Sequence, residues 1–231
     1  MTTSGKDCRA WRAESVPFEA QSSRTAPGRC GAAALVMVLR SLGLEVSQRD
    51  IRQALEAERT AGAHTHRLAQ VAHKHGCAAL IVQARCPWQL LERCQLPSLR
   101  VILNHRLTFF ASTGHFSVLV GMDCDTVMVH DPGQGPWRRI GRDELELLWR
   151  PEAGAGPIAG QVLLALGQPT AASVSCEECG VAIPASLVCP ACGQRVDLQP
   201  AAILGCMKRD CPERAWVRIY CPGCDTVCAE Y

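Results

Sequence analysis

Four close pairs of cysteines near the C terminus constrain the fold of this chain more than any other feature. The 231 residues include fifteen cysteines, and eight of these form pairs after Ser175. The pairs are Cys176 and Cys179, Cys189 and Cys192, Cys206 and Cys211, and Cys221 and Cys224. A tight turn directs two sulfurs toward one point, and two such turns complete a tetrahedral site of four thiolates. The pattern therefore predicts two bound Zn²⁺ ions.

The spacing of the pairs suggests which of them share an ion. Nine residues separate the two pairs in each half of this region, which makes it an internal repeat of about 30 residues. We predict that successive pairs combine, with one site within 176–192 and the other within 206–224. The sites resemble zinc ribbons, and four thiolate ligands favour closed structural sites with no position for a catalytic water. Cys228 is left over.

The charge of the cysteine-rich region indicates the kind of partner it binds. From Thr170 onward there are 5 Lys and Arg against 7 Asp and Glu, a net charge of −2. Each site of four thiolates around Zn²⁺ adds about −2 more. A surface that binds phosphates needs the opposite sign, so we expect no nucleic acid. We predict that the zinc ribbons serve as an adaptor for a protein partner or as a lid on a cleft.

Composition excludes several classes for the whole chain. The net charge of +2 gives no reason to expect a nucleic acid or a membrane surface as partner. Residues 1–20 lack the apolar core of a signal peptide, and Gly and Pro interrupt the uncharged stretch 153–175, so we predict no membrane insertion. Cysteines in pairs of metal-binding type indicate a reducing compartment, and we predict a cytoplasmic location.

The order of predicted elements indicates an α+β fold. Helices are predicted from near residue 30 with Gly43 as C-cap, from 48, over 65–75, and after Pro87, with strands at 100–104, 115–121 and 126–131, then a helix at 143–149 and a strand at 161–166. Helices first and strands afterwards imply an antiparallel sheet. We predict one domain at 1–168, a linker at 169–175 and the double zinc ribbon at 176–231.

Cys30 has the setting of a nucleophile. It follows a Pro-Gly turn and opens a helix that is apolar almost all round, so we expect the helix to be buried. The N-terminal end of a helix favours a thiolate over a thiol. Gly31 leaves space for a substrate backbone.

His115 and Asp131 supply the partners that such a thiolate needs. His115 opens one predicted strand and Asp131 closes the next, and a loop at 121–125 would place the two residues directly opposite each other on one face. A register shifted by one residue would put them on different faces. In the first register, His115 pairs with Cys30 while Asp131 orients the imidazole, as in acyl-transfer enzymes.

Four separated segments, 16–21, 30–39, 114–121 and 129–132, resemble in sequence and order the C39 peptidases. These are papain-like cysteine peptidases, known as the domains that cut leader peptides after a double glycine in bacteriocin exporters. The resemblance covers about residues 14–166 and implies a papain-like fold. It also implies Cys30 as nucleophile, His115 as base, Asp131 as orienter and Gln21 as side-chain donor to the oxyanion hole.

Two positions depart from the pattern of that family. The glutamine usually stands six residues before the cysteine, a place that Arg24 occupies here, while Gln21 stands nine residues before it. The residue directly before the cysteine, often acidic, is Arg29. Two alternatives to hydrolysis therefore stay open: a peptide-binding module without catalysis, and thiol acyl transfer to an amine.

Other chemically active side chains receive minor roles. Asn104 and His105 are candidates to line the cleft, whereas His130 alternates to the face opposite Asp131. A further histidine group is predicted to be solvated or to cap a helix, because residues two apart on a helix do not face each other. These histidines are His64, His66, His73 and His75.

Overall fold

The structure is a computed structural model. It describes residues 10–13, 16–22, 29–56, 64–108, 111, 114–150, 160–169 and 174–230. Arg24 and part of the predicted linker lie outside the described residues.

Five α-helices confirm the predicted helical segments. They are α1 (Arg29–Ser41), α2 (Gln48–Glu56), α3 (Thr65–Lys74), α4 (Pro87–Arg93) and α5 (Arg142–Trp149). The Ser47 hydroxyl accepts the backbone N–H of Asp50 at 3.2 Å, which caps α2. Gly43 and Gly76 follow α1 and α3 with φ of +83° and +80°, a conformation that terminates a helix.

The strands of the described residues pair in antiparallel fashion throughout. They are β1 (Trp11–Arg12), β2 (Ala78–Ala84), β3 (Leu99–Arg106), β4 (Gly114–Met122), β5 (Thr126–Asp131), β6 (Gly135–Gly141), β7 (Val162–Gly167), β8 (Val174–Ser175), β9 (Ala182–Ile183), β10 (Ser186–Val188), β11 (Arg195–Asp197), β12 (Trp216–Tyr220) and β13 (Val227–Glu230). Nine of these strands form one sheet in the order β13-β12-β2-β7-β3-β4-β5-β6, with β1 beside β4. The expected α+β fold with an antiparallel sheet is confirmed.

Five strands of the large sheet were absent from the sequence-based prediction; they are β1, β2, β6, β12 and β13. Strand β2 is buried along its whole length, so it lacks the alternation of polar and apolar residues that marks a half-buried strand. Strand β6 is mostly exposed and contains Gly135 and Pro136, which read locally as a turn.

The sheet separates two layers of core. Helices α1, α2 and α3 pack on one face, where Leu35, Leu68 and Ile81 belong to one apolar cluster. Helices α4 and α5 pack on the other face together with side chains from the cysteine-rich region. No helix within the described residues combines the length and the apolar character that a membrane crossing requires.

The cysteine-rich region contributes directly to the large sheet. Strand β12 pairs with β2, with Ile219 opposite Val82. Leu80, Val82, Trp216 and Ile219 belong to the same core cluster. The indole N–H of Trp216 donates to the backbone oxygen of Cys206 at 2.9 Å. The division into 1–168 and 176–231 stays a prediction, while the sheet and the core continue across it.

Candidate active site

Cys30 lies at the start of a helix that is buried along most of its length. It is the second residue of α1, and the residues from Gly31 to Leu39 are buried against the sheet and α3. The thiol itself is half-buried. The helix N-terminus carries a partial positive charge that favours the thiolate.

His115 and Asp131 are hydrogen-bonded, although the predicted register is wrong. The distance from His115 Nε2 to Asp131 Oδ1 is 2.8 Å. The loop between β4 and β5 is 123–125, and Val118 stands opposite His130, so His115 and Asp131 are diagonal neighbours. The shift relative to the expected register is two residues, and an even shift keeps both side chains on one face.

The Asp131 carboxylate accepts hydrogen bonds on both oxygens. Oδ1 accepts the backbone N–H groups of Gly133 at 2.9 Å and Gln134 at 3.0 Å, besides the His115 ring. Oδ2 accepts from the Arg138 guanidinium at 3.1 Å. Burial opposes ionisation, yet the His115 hydrogen bond and charge, followed by the two backbone N–H groups, lower the pKa of Asp131 to about 2. Sequence reasoning missed Arg138, which is remote from every motif.

The same contacts favour an ion pair between Cys30 and His115. Burial lowers the pKa of His115, but its hydrogen bonds to Asp131 and Cys30 and the charges of both raise that pKa to about 9. Burial likewise opposes the Cys30 thiolate, but the hydrogen bond and charge of His115 lower the pKa of Cys30 below its ordinary value. Because Nε2 of His115 is bonded to Asp131, Nδ1 is the ring nitrogen left for the thiol.

Gln21 lies near His115 and Asp131, despite its unusual spacing from Cys30 in the sequence. A side-chain carbon placed on Gly133 would lie 3.5 Å from Gln21 Nε2, 3.5 Å from Asp131 Oδ1 and 3.6 Å from His115 Cε1. The absence of a side chain at Gly133 therefore leaves room for the Gln21 amide and the His115 ring to approach one point.

The segment that carries Gln21 is fixed to its surroundings by polar contacts. The backbone N–H of Gln21 donates to the Pro132 oxygen at 3.0 Å. The Gln48 amide donates to the Ala20 oxygen at 2.7 Å. Glu19 forms an ion pair with Arg40 at 2.9 Å. These contacts tie the segment to α1, to α2 and to the turn after Asp131.

Arg29, which precedes Cys30, contacts this same segment. Its guanidinium donates to the Ser22 hydroxyl at 3.0 Å. The cation at the first residue of α1 therefore joins the start of the helix to the residue after Gln21.

His105 is packed behind His115 and is fully buried. Its ring nitrogens are bonded to the Arg106 oxygen at 2.7 Å and the Ser117 hydroxyl at 2.8 Å, and its ring centroid is 5.6 Å from that of His115. Burial, with a contribution from the charge of His115, lowers the pKa of His105 to about 4, so the ring is neutral at neutral pH. Asn104 instead donates to Thr65 on α3 at 3.1 Å.

The four histidines around α3 belong to no cluster of metal-binding type in the part of the chain that the structure describes. His73 Nδ1 lies 3.0 Å from the Cys77 oxygen, and His75 is the C-cap of α3. His66 lies 3.5 Å from Asp225, which is in the cysteine-rich region.

The paired cysteines form two clusters, but the predicted combination is wrong. The first cluster is Cys176, Cys179, Cys206 and Cys211, and the second is Cys189, Cys192, Cys221 and Cys224. The sites are therefore interleaved along the chain. The turn that joins β10 to β11 meets the turn that joins β12 to β13, and a side chain at Gly223 would collide with Gln194. The equal spacing of the pairs along the sequence does not indicate which pairs meet in space.

The geometry of both clusters fits zinc. Four sulfur pairs lie 3.5 to 3.7 Å apart, and all ligand atoms of a cluster lie within 4.8 Å of one another. A tetrahedral ion with Zn–S bonds of about 2.3 Å separates its sulfurs by about 3.8 Å. Backbone N–H groups donate to Cys206 Sγ at 3.2 Å and to Cys221 Sγ at 3.3 Å, as thiolate acceptors require. Two cysteine clusters can thus hold metal ions.

The remaining described cysteines lie outside these clusters. Cys77 and Cys94 are buried free thiols, and Cys86 is exposed. Cys228 packs against Cys189 and Cys221 of the second cluster. Cys124 is disulfide-bonded, which the sequence did not predict.

Comparison with known proteins identifies the family. The family model described as the peptidase C39 family matches residues 17–153. The chain therefore belongs to this family, and the sequence-based recognition is confirmed. No curated protein matches the chain.

Solved structures with this fold include three C39 peptidases. A double glycine motif protease from an AMS/PCAT transporter, crystallised with the leader peptide, is 20% identical with a TM-score of 0.51, over 69% of this chain and 95% of that one. A C39-like peptidase from Bacillus anthracis is 17% identical with a TM-score of 0.56, over 70% and 99%. The peptidase domain of Streptococcus ComA, a bifunctional ABC transporter involved in a quorum sensing pathway, is 15% identical with a TM-score of 0.52, over 67% and 100%. These similarities establish the fold.

Proposed function

We propose that this chain is a cysteine peptidase that hydrolyses a peptide bond through Cys30, His115, Asp131 and Gln21. The observation that carries the proposal is the hydrogen bond between the His115 ring and the buried Asp131 carboxylate, together with the interaction with His115 that lowers the pKa of the Cys30 thiol. Membership of the peptidase C39 family supports the same class of reaction.

The proposed reaction has two steps through a thioester. The Cys30 thiolate attacks the carbonyl carbon, and the Gln21 amide donates to the oxyanion that forms. The His115 imidazolium gives its proton to the leaving amine as the C–N bond breaks. The neutral ring then takes a proton from water, which attacks the thioester and releases the acid and Cys30. Asp131 keeps the ring oriented and stabilises its charged form.

The proposed substrate is a peptide, and the first candidate is a leader peptide cut after a double glycine. One structural neighbour is a double glycine motif protease solved with the leader peptide, which supports this class.

Two measurements test this function. Iodoacetamide at pH 6 should modify Cys30 ahead of the other free thiols, because a thiolate is the reactive form. A synthetic peptide with a Gly-Gly site should be cleaved by the wild type and not by Cys30→Ala, while Cys86→Ala, which changes an exposed thiol outside both clusters, keeps full activity. Uniform labelling of the thiols, or cleavage that persists in Cys30→Ala, would refute the proposal.

Two alternatives are separate outcomes of the same assays. The spacing of Gln21 from Cys30 favours a binding module, which would bind the peptide in wild type and Cys30→Ala alike without cleavage. Acyl transfer on the same residues would give a product that gains the mass of an added amine. Product mass with and without that amine distinguishes transfer from hydrolysis.

We further propose that both cysteine clusters hold Zn²⁺ and that the cysteine-rich region offers a surface to a protein partner. The net charge of −2 from Thr170 onward supports a protein and not a nucleic acid as that partner. Metal analysis of the purified protein should give two zinc ions per chain.

A cytoplasmic location is also proposed, and the disulfide at Cys124 opposes it, because such bonds persist mainly in oxidising compartments. Cell fractionation decides the location.

A further inference from the structure

We propose that His130 is a positioning residue, which holds the segment 16–22 so that the Gln21 amide stays at the oxyanion site. The inference rests on the proposed peptidase function and adds a residue that the motifs leave without a role. His130 contacts neither Cys30 nor His115 in any described hydrogen bond; it acts through Gln21.

The His130 ring joins two parts of the chain that are remote in sequence. Its Nε2 lies 3.1 Å from the backbone oxygen of Val16, and its Nδ1 accepts the backbone N–H of Trp137 at 3.2 Å. An oxygen can only accept and an N–H can only donate, so the ring is the neutral tautomer with its proton on Nε2. Both ring nitrogens are therefore used in one fixed orientation.

Aromatic packing and burial fix the ring further. The Phe18 ring lies edge-on at 5.7 Å and the Trp137 ring edge-on at 4.7 Å from the His130 ring. His130 is 1% exposed. Burial lowers its pKa, although the Val16 oxygen opposes this effect, so the ring stays neutral at neutral pH. A neutral ring is the form that both hydrogen bonds require.

The two parts that His130 joins carry different catalytic groups. Val16 and Phe18 belong to the segment that continues to Gln21, whose N–H donates to Pro132. His130 directly precedes Asp131 on β5, and Trp137 lies on the neighbouring strand β6. His130 thereby sets the distance between the oxyanion donor and the carboxylate that orients the base.

Backbone strain at Trp137 is consistent with this function. Trp137 adopts a φ of +56°, which is rare for a bulky residue, and its side chain is 49% exposed. Strained conformations persist where surrounding contacts over-determine them, and they concentrate at functional sites. The hydrogen bond to His130 is one such contact.

A double-mutant cycle tests the proposal on the full chain. Cleavage of a Gly-Gly peptide is measured for His130→Phe with Gln21 present and with Gln21→Ala. Phe keeps the ring and its aromatic contacts and removes both hydrogen bonds. We expect kcat to fall about 10- to 100-fold with Gln21 present, which is less than the about 10²–10³-fold for complete loss of an oxyanion donor because the donor is displaced and not removed, and we expect KM to change little. With Gln21→Ala already in place, the further loss should be at most about twofold.

Two further variants and a chemical probe exclude a general effect on folding. His130→Gln keeps an N–H donor for Val16 and should restore part of kcat. His75→Phe changes an exposed histidine in the same way and should leave kcat unchanged. Alkylation of Cys30 by iodoacetamide should proceed at the wild-type rate in His130→Phe, because the thiolate and His115 are untouched.

Hydrogen exchange makes the result independent of peptidase activity. The backbone N–H of Gln21, which donates to the Pro132 oxygen, should exchange faster in His130→Phe, while the backbone N–H groups of α1 stay protected. Additive losses in the cycle together with unchanged exchange at Gln21 would overturn the positioning role. A wild type that cleaves no peptide, yet shows this faster exchange in the variant, would reject the peptidase function and retain the positioning role.

Discussion

Loss of the second cysteine cluster should destabilise the candidate catalytic part of the chain, which carries Cys30, His115 and Asp131, as well as the cysteine-rich region. The perturbation is Cys221→Ala. Cys221 directly follows β12, is fully buried, and is a member of the second cluster. Strand β12 lies between β13 and β2 in the large sheet, so its release removes a neighbour of β2.

The structure gives the size of the effect. The core cluster that contains Leu80 and Val82 includes fully buried side chains of the cysteine-rich region, among them these four: Leu198, Ile203, Trp216 and Ile219. Burial of such a side chain is worth about 1.5–3 kcal/mol, so release of all four removes about 6–12 kcal/mol. A whole protein is usually stable by about 5–15 kcal/mol. The catalytic part is therefore not expected to stay folded on its own at elevated temperature.

Circular dichroism distinguishes the two parts of the chain. All five described α-helices lie before the cysteine-rich region, where the described residues contain only a short 3₁₀ helix, Ala201–Leu204. Helical signal thus reports on the catalytic part. We expect its melting midpoint to fall by about 12–24 °C in Cys221→Ala, and similarly on chelation. Cys86→Ala, at an exposed thiol outside both clusters, should shift it by about 2 °C or less.

One result would refute this reasoning. If Cys221→Ala loses a zinc ion while the helices melt at the wild-type temperature, the shared sheet and core do not couple the two regions. The cysteine-rich region would then be an independently folding attachment.

Four further predictions concern the candidate catalytic residues and Gly133. Asp131→Asn should lower kcat by about 10²–10⁴-fold, because the carboxylate no longer orients and stabilises the His115 imidazolium; an unchanged kcat would remove Asp131 from the mechanism. Cys30 has a lowered pKa and His115 a pKa of about 9, so peptidase activity should decline as pH rises through about 9, when His115 loses the proton for the leaving group, and as pH falls through the pKa of Cys30. His115→Ala should shift the pH midpoint of Cys30 alkylation upward, toward about 8.5. Gly133→Ala should retain most activity, because its carbon would meet Gln21 and His115 at 3.5 and 3.6 Å, whereas Gly133→Val should lower kcat; equal activity of the two variants would contradict the placement of Gln21.

Local patterns predicted the helices. They also predicted the strands in which polar and apolar residues alternate, or which turn residues bound at both ends. The Ser47 cap, the glycines after α1 and α3, and the Val-rich strands β4 and β5 depend on neighbouring residues, so the sequence contains them. Strand β2 has no such signal. Both of its faces are buried, so its residues do not alternate between polar and apolar, and its strand conformation depends on pairing with β7 and β12.

The candidate site was partly predictable for the same reason. Cys30, His115 and Asp131 each occupy the end of a predictable element, and the sequence placed them on one site. Arg138 and His130 contribute through contacts between neighbouring strands and a distant segment. No local signal indicates those contacts.

The sequence by itself determined which residues open the buried helix, which strands carry the imidazole and the carboxylate, and which eight thiols are paired. Only the tertiary structure decided that the cysteine pairs interleave, that β12 extends the sheet beside β2, and that a two-residue change of register still leaves His115 bonded to Asp131. Turns and periodic patterns depend on a few neighbouring residues, so they can be recognised in short stretches of the sequence. The combination of pairs, strands and registers depends on the packing of segments that are far apart in the chain.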